Sequence, residues 1–166
     1  MHPLFHPLFV DYCAYFNGNQ DYFECHEVLE EYWKEVAPGD KLHPLVGFVQ
    51  LATGLYHWRR ENFSGAFRIL KKSLLNFKQN QGSLYFDYID FETLLNEIDS
   101  KLTFIEKKES FQAFPLPINN TTLLQLTNEK IVTLPPFQQH FIINKHMLRD
   151  RSEIIEARER KKRSRH

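Results

Sequence analysis

The chain has 166 residues, 42% of them hydrophobic and 14% aromatic, and its 21 basic and 21 acidic residues give a formal net charge of zero. This length and composition predict one globular domain with room for an appendage, whose core needs neither metal nor disulfide support. No apolar run reaches the roughly 18 to 20 residues that span a bilayer, and residues 1–10 lack the features of a signal peptide, so we expect no membrane contact.

The spacing of apolar residues predicts an all-α fold, a compact bundle of about five helices. The triplet His-Pro-Leu occurs at 2–4, 6–8 and 43–45. Each proline suits the first turn of a helix, so we interpret the triplets as helix starts and not as metal ligands. Periodicity and stop signals then predict helices at about 8–16, 20–36, 44–60, 64–80 and 91–108. The helix at 44–60 is apolar nearly all round, which predicts a central position.

The two cysteines, Cys13 and Cys25, lie inside these predicted helices without metal-like pairing. We interpret them as small buried apolar residues of a reduced protein, which predicts a cytoplasmic location.

Beyond residue 110, prolines, asparagines and β-branched residues become frequent. A small hairpin over 122–134 is one interpretation, although neither turn residue is the glycine that favours tight hairpins. We expect three parts: a helical bundle at 1–109, an apolar, proline-containing extension at 110–143 that packs on the bundle or on a partner, and a basic helix with a disordered tip at 144–166. The last part has nine Lys or Arg residues against four Asp or Glu, a net charge of about +5.

The second predicted helix places one histidine and one selected carboxylate on its apolar face. At 100° per residue, Trp33 lies on the same side as His26, and Glu30 borders that side one turn away. The remaining acids of this helix, Glu24, Glu27, Glu31 and Glu35, fall on the solvated side. Because an unpaired buried carboxylate costs several kcal/mol, Glu30 needs a partner.

The third predicted helix has one line of polar or small residues: His43, Gly47, Gln50, Gly54, His57 and Glu61. If the two helices pack antiparallel along these lines, four side chains meet in one interior pocket: His26, Glu30, Gln50 and His57. Imidazole and carboxylate groups suit zinc, iron or manganese, with His26 and Glu30 as metal ligands. The same two residues also suit a general acid/base pair. A hydrogen-bond network that only fixes helix packing would leave the same pattern.

The residues His26-x-x-x-Glu30-x-x-Trp33, followed by Gly47-Phe48-Val49-Gln50-Leu51-Ala52 and Gly65-Ala66, resemble a small all-helical family of bacteria and archaea, domain-of-unknown-function family 309. Its signature is His-x-x-x-Glu-x-x-Trp or Tyr, and the resemblance covers about 11–75. It implies a helical fold and metal binding at His26 and Glu30, and it implies no established reaction. The sequence His26-Glu27-x-x-Glu30 lacks the second histidine of the zinc-protease motif, so we assign no protease chemistry.

We therefore expect a metal- or small-ligand-binding pocket centred on His26 and Glu30, with Trp33, Gln50 and His57 as further site residues. Whether the protein is an enzyme stays open. The alternative is a structural or interaction protein in which the His/Glu network only fixes packing, and the basic tail contacts nucleic acid or a protein partner. Residues 111–143 are the candidate surface for a homo-oligomer or another subunit.

Overall fold

A computed structural model describes residues 1–136, and the fold of this part is all-α, as predicted. Short 3₁₀ turns lie at Pro3–Phe5 and Leu84–Phe86, and a π-helical turn at Tyr15–Asn19 continues the first helix. Residues 1–136 form six α-helices: α1 (Pro7–Ala14), α2 (Tyr22–Val36), α3 (Pro44–Arg59), α4 (Phe63–Gln79), α5 (Phe91–Glu106) and α6 (Thr121–Ile131). Within residues 1–136 no helix is both long and apolar enough to cross a membrane.

Helix α3 lies at the centre of the bundle, which confirms the prediction from its apolar surface. It packs against α2 on one side and α4 on another, while α5 packs on α4. Its large side chains are fully buried and fill the core: Leu45, Phe48, Leu51, Leu55 and Trp58. The cysteines Cys13 and Cys25 are also fully buried and unbridged, and burial raises the pKa of both thiols.

The three His-Pro-Leu triplets start helices or turns, which confirms that interpretation. In each triplet the histidine Nδ1 accepts a hydrogen bond from the leucine amide two residues on, at 3.1 Å. The proline follows at the first helical positions, where its missing N–H leaves no bond unmade. Because Nδ1 accepts, the ring must be neutral with its proton on Nε2. A histidine thus takes the position that Ser, Thr, Asp or Asn usually fills.

Acid is therefore expected to weaken the start of α3. Burial lowers the pKa of His43, while the carboxylate of Asp40 acts in the opposite direction; the ring also contacts Tyr85 at 4.9 Å. Because the folded pKa lies below the ordinary histidine value of about 6.5, the unfolded chain binds the proton more readily. The stability contributed by neutral His43 is present above about pH 6.5 and is lost as pH falls through that value towards the folded pKa.

Urea unfolding at pH 7.5 and 5.5 measures this effect. The variant His43→Asn keeps a capping oxygen that does not titrate, so it should lose less stability between the two pH values than the wild type. Since His2 and His6 are present in both proteins, the difference isolates His43. Equal losses in the two proteins would contradict the expectation.

The segment predicted as a hairpin is helix α6, so that prediction is wrong. The Asn120 side chain accepts from the amide of Leu123 at 2.9 Å and caps the helix. Leu123 and Thr127, one turn apart, are buried on the side that packs against α1. Leucines at helical spacing behind an asparagine cap outweigh the β propensity of Thr121 and Thr122, which lie in the exposed first turn.

The described part of the extension packs on the bundle. Phe111 contacts Trp58 with ring centroids 5.1 Å apart, and Phe114 contacts Phe16 at 5.8 Å. Lys130 lies 3.6 Å from Asp11 of α1. The domain boundaries themselves stay predictions. The predicted basic helix and tip at 144–166, and residues 137–143 of the extension, lie outside the described residues.

Helices α3 and α4 approach closely at two glycines of α3. A Cβ atom on Gly54 would lie 2.5 Å from Cγ of Leu70, and one on Gly47 would overlap Asn76 and Phe77. The hydroxyl of Ser73 donates to the carbonyl of Gly47 at 2.8 Å. The two glycines, which were expected to face α2, therefore face α4. The close approach of α4 is possible because these positions have no side chain.

Candidate functional site

A cleft of about 100 Å³ lies between α2 and α3. Helix α2 contributes Tyr22, Phe23 and His26, and α3 contributes Thr53, Tyr56 and His57. On each helix the three residues share one face, because residues three and four apart are neighbours on a helix surface. The structure thus brings two of the histidines singled out from the sequence, one from each helix, to the same cleft.

Aromatic rings form most of the cleft wall. The rings of Phe23 and Tyr56 are 6.2 Å apart, and those of Phe23 and His26 are 6.5 Å apart and nearly parallel. Tyr22 is fully buried, and its hydroxyl has no hydrogen-bond partner within residues 1–136. Burial raises the pKa of Tyr22, against the opposite effect of the Arg59 guanidinium, so the hydroxyl is neutral.

His26 is held between two carboxylates. Its Nε2 lies 3.2 Å from Oε2 of Glu30, and its Nδ1 lies 3.4 Å from Oε1 of Glu27. These contacts fix the orientation of the ring at the edge of the cleft.

The His26–Glu30 pair is not interior, which corrects the expectation of a buried pocket. Their side chains keep 30% and 34% of their surface exposed. Glu30 also pairs with Nζ of Lys34, one turn further along α2, at 3.0 Å. The helix places Glu30 at the border of the apolar face, where a solvated cation can reach it. The partners that the Glu30 carboxylate requires are thus His26 and Lys34.

His57 is oriented from the start of α4. Its Nδ1 lies 3.4 Å from the side-chain nitrogen of Asn62. The oxygen of the same amide accepts from the backbone of Gly65 at 3.1 Å, so its nitrogen is the group that points at the ring. Nδ1 is then the acceptor, and the neutral ring has its proton on Nε2.

Three of the expected site residues, Glu30, Trp33 and Gln50, do not line the cleft. Trp33 donates from Nε1 to the carbonyl of Asp40 at 2.9 Å, which holds the turn after α2. Gln50 is half-buried, and its Oε1 has no hydrogen-bond partner in the described part of the chain. Sequence reasoning missed Phe23, Thr53 and Tyr56. Helical spacing could have identified them, because these residues lie within one turn of the two histidines.

The His26 Nε2 and Glu30 Oε2 atoms are separated by nearly the distance between two ligands of one zinc ion. Two ligands with bonds of about 2.1 Å to one tetrahedral zinc lie about 3.4 Å apart, close to the 3.2 Å observed. Among residues 1–136, however, no three or more His, Cys, Asp or Glu side chains are grouped so that they could hold a metal ion. The pair fits two positions of an open site and does not form a closed structural one.

Comparison with known proteins places the cleft in a recognised family region. The family model described as "Domain of unknown function (DUF309)" matches residues 9–69, a range that contains every residue lining the cleft. The uncharacterized protein YpuF of Bacillus subtilis (strain 168) is 36% identical over 159 residues, which cover 92% of this chain and 91% of the relative. No solved structure gives a significant match.

Proposed function

Since the chain belongs to the DUF309 family, and the residues matched by its model contain the whole α2–α3 cleft, we propose that this cleft binds a small ligand through His26 and His57. The observation behind this proposal is the convergence of two histidines from different helices on one cavity with aromatic walls. Ligand sites are typically apolar clefts with a few convergent polar groups.

The size and lining of the cleft indicate the kind of ligand. An apolar cavity of about 150 Å³ accepts benzene, so a cleft of about 100 Å³ that opens to solvent suits one small planar ring. The aromatic walls favour stacking or edge contacts with such a ring. A polar group on the ligand would bind the imidazoles of His26 and His57.

Phenol is a suitable first probe, because it combines a ring with one hydroxyl, and benzene is its apolar counterpart. In NMR titrations of the full chain we expect phenol to bind more tightly than benzene and to shift cleft resonances. Thr53→Leu should fill the cleft and weaken phenol binding about tenfold, a change of about 1.4 kcal/mol. His26→Gln and His57→Gln should each weaken it by a few-fold, the value of one hydrogen bond.

Thr103→Leu on the exposed face of α5 is the matched control, and it should bind phenol as the wild type does. Phenol affinity unchanged by Thr53→Leu would rule out the cleft as the site. If no binding occurs, and His26→Gln instead lowers stability, the alternative holds: the His/Glu network then only fixes helix packing.

A divalent metal, zinc, iron or manganese, is a second candidate ligand, held by His26 and Glu30. The 3.2 Å separation of their Nε2 and Oε2 atoms favours it. The same experiment includes a Zn²⁺ titration of untagged protein, in which His26→Ala and Glu30→Ala should each abolish binding. Glu31→Ala, an exposed acid on the same helix, is the control. Equal zinc content in all variants would exclude this pair as ligands.

A further inference from the structure

Helix α4 has a solvent-exposed face on which every charged residue is cationic. Its inner side is buried against α3 through Leu70, Leu74 and Phe77. Its outer side exposes Arg68, Lys71, Lys72 and Lys78, and none of the 17 residues of the helix is acidic. We define these four residues as the cationic face.

None of these four cations forms an ion pair within residues 1–136. The lysines that do form ion pairs lie elsewhere: Lys34, Lys101 and Lys130 each lie within 4 Å of a carboxylate. These cations lack carboxylate partners although acids outnumber bases in residues 1–136, by 17 to 12. The glutamates of α2 lie on a helix that packs against α3, and no acid of α5, which packs on α4, lies within 4 Å of these cations in the described part of the chain.

We propose that the cationic face binds the phosphate backbone of double-stranded nucleic acid, without sequence specificity. Arg68 to Lys78 spans ten residues, which is about 15 Å along a helix at 1.5 Å per residue. A duplex presents about four base pairs over that length, at 3.4 Å per step. The four cations therefore match a short stretch of backbone.

The energetics favour a duplex over an acidic protein. An exposed ion pair between protein side chains contributes only about 0 to 1 kcal/mol. A duplex has one charge per roughly 1.7 Å and releases bound counterions for each phosphate that is neutralised. Four exposed cations thus give measurable binding to a duplex and little to a carboxylate surface.

The composition of the face also separates a duplex from single strands and from membranes. No aromatic side chain is exposed among the four cations, so unpaired bases have nothing to stack on. Leu75 is the one exposed large hydrophobic residue on α4, with 48% of its surface accessible. A helix that binds in a membrane interface needs a whole apolar face, and the apolar face of α4 is already buried against α3.

The test is the salt dependence of binding by the full chain to a fluorescent 20-base-pair DNA duplex, followed by anisotropy. Each phosphate contact contributes about 0.9 to the slope of log affinity against log salt. The double variant Arg68→Gln/Lys72→Gln should reduce that slope by about 1.8. Between 50 and 200 mM salt its affinity should then fall roughly 12-fold less than that of the wild type.

Lys41→Gln/Lys107→Gln removes two exposed cations elsewhere and is the matched control, since it changes the net charge equally. Both pairs leave the C-terminal basic residues intact, so any contribution from them cancels in the comparison. Equal slopes for the two double variants would overturn the proposal. It would also be overturned if polyglutamate or phosphatidylserine vesicles, and not the duplex, lost affinity specifically with Arg68→Gln/Lys72→Gln.

Discussion

Replacing Trp58 with alanine is expected to lower the free energy of unfolding by about 4 kcal/mol. The side chain is fully buried at the C-terminal end of α3. Its Nε1 donates to the carbonyl of Glu109 at 2.9 Å, and its ring packs edge-on against Phe111. The substitution therefore leaves a cavity, removes a hydrogen bond and releases the segment after α5 from the bundle.

Urea unfolding followed by circular dichroism measures this loss. Trp58→Phe retains a ring but not the donor, so it should cost less, about 1 to 2 kcal/mol. Leu124→Ala, whose leucine is 44% exposed on α6, should change stability by no more than about 0.5 kcal/mol. If Trp58→Ala were as mild as Leu124→Ala, the indole would not hold this segment in place.

Replacing Gly54 with valine is expected to lower the free energy of unfolding by about 3 kcal/mol, because α3 and α4 must separate to admit the side chain. The first carbon alone would lie 2.5 Å from Cγ of Leu70 and 3.2 Å from its backbone nitrogen. Valine is a better helix former than glycine by a few tenths of a kcal/mol, but that gain is smaller than the cost of the overlap.

Ser100→Val on the exposed face of α5 is the control, since serine and valine have similar helix propensities. In a second variant, Gly54→Ala with Leu70→Ala, the combined loss should be smaller than the sum of the two single losses, because Leu70→Ala removes the overlapping atoms. Chemical denaturation of each protein gives the comparison. Additive losses in the double variant would argue against close contact at this point.

Much of the fold could be predicted from the sequence, because the helices that form it have strong local signals. The predicted range 44–60 differs from Pro44–Arg59 by one residue, since His43 and Pro44 fix its start. The composition of the range 122–134 favours a hairpin, whereas the spacing of its leucines favours the helix that forms. The leucine spacing stabilises the helix because α1 packs against this side of α6 and buries Leu123.

The candidate site could be predicted only in part. The orientation of His26 followed from helical periodicity, as did the border position of Glu30. Which face of α3 lies opposite them did not follow. Gly47 and Gly54 marked a close approach without naming the neighbour, and the neighbour is α4. Lys34 reaches Glu30 through a flexible side chain, and helical angles alone do not predict such a contact.

The packing of α6 on α1 has a consequence for how the protein is made. Asp11 of α1 pairs with Lys130, and Ile131 lies against Gly18 just after α1. The ribosome adds about 5 to 20 residues per second, so roughly 6 to 20 seconds separate the emergence of these two helices. Throughout that time the outer side of α1 has no cover from its own chain.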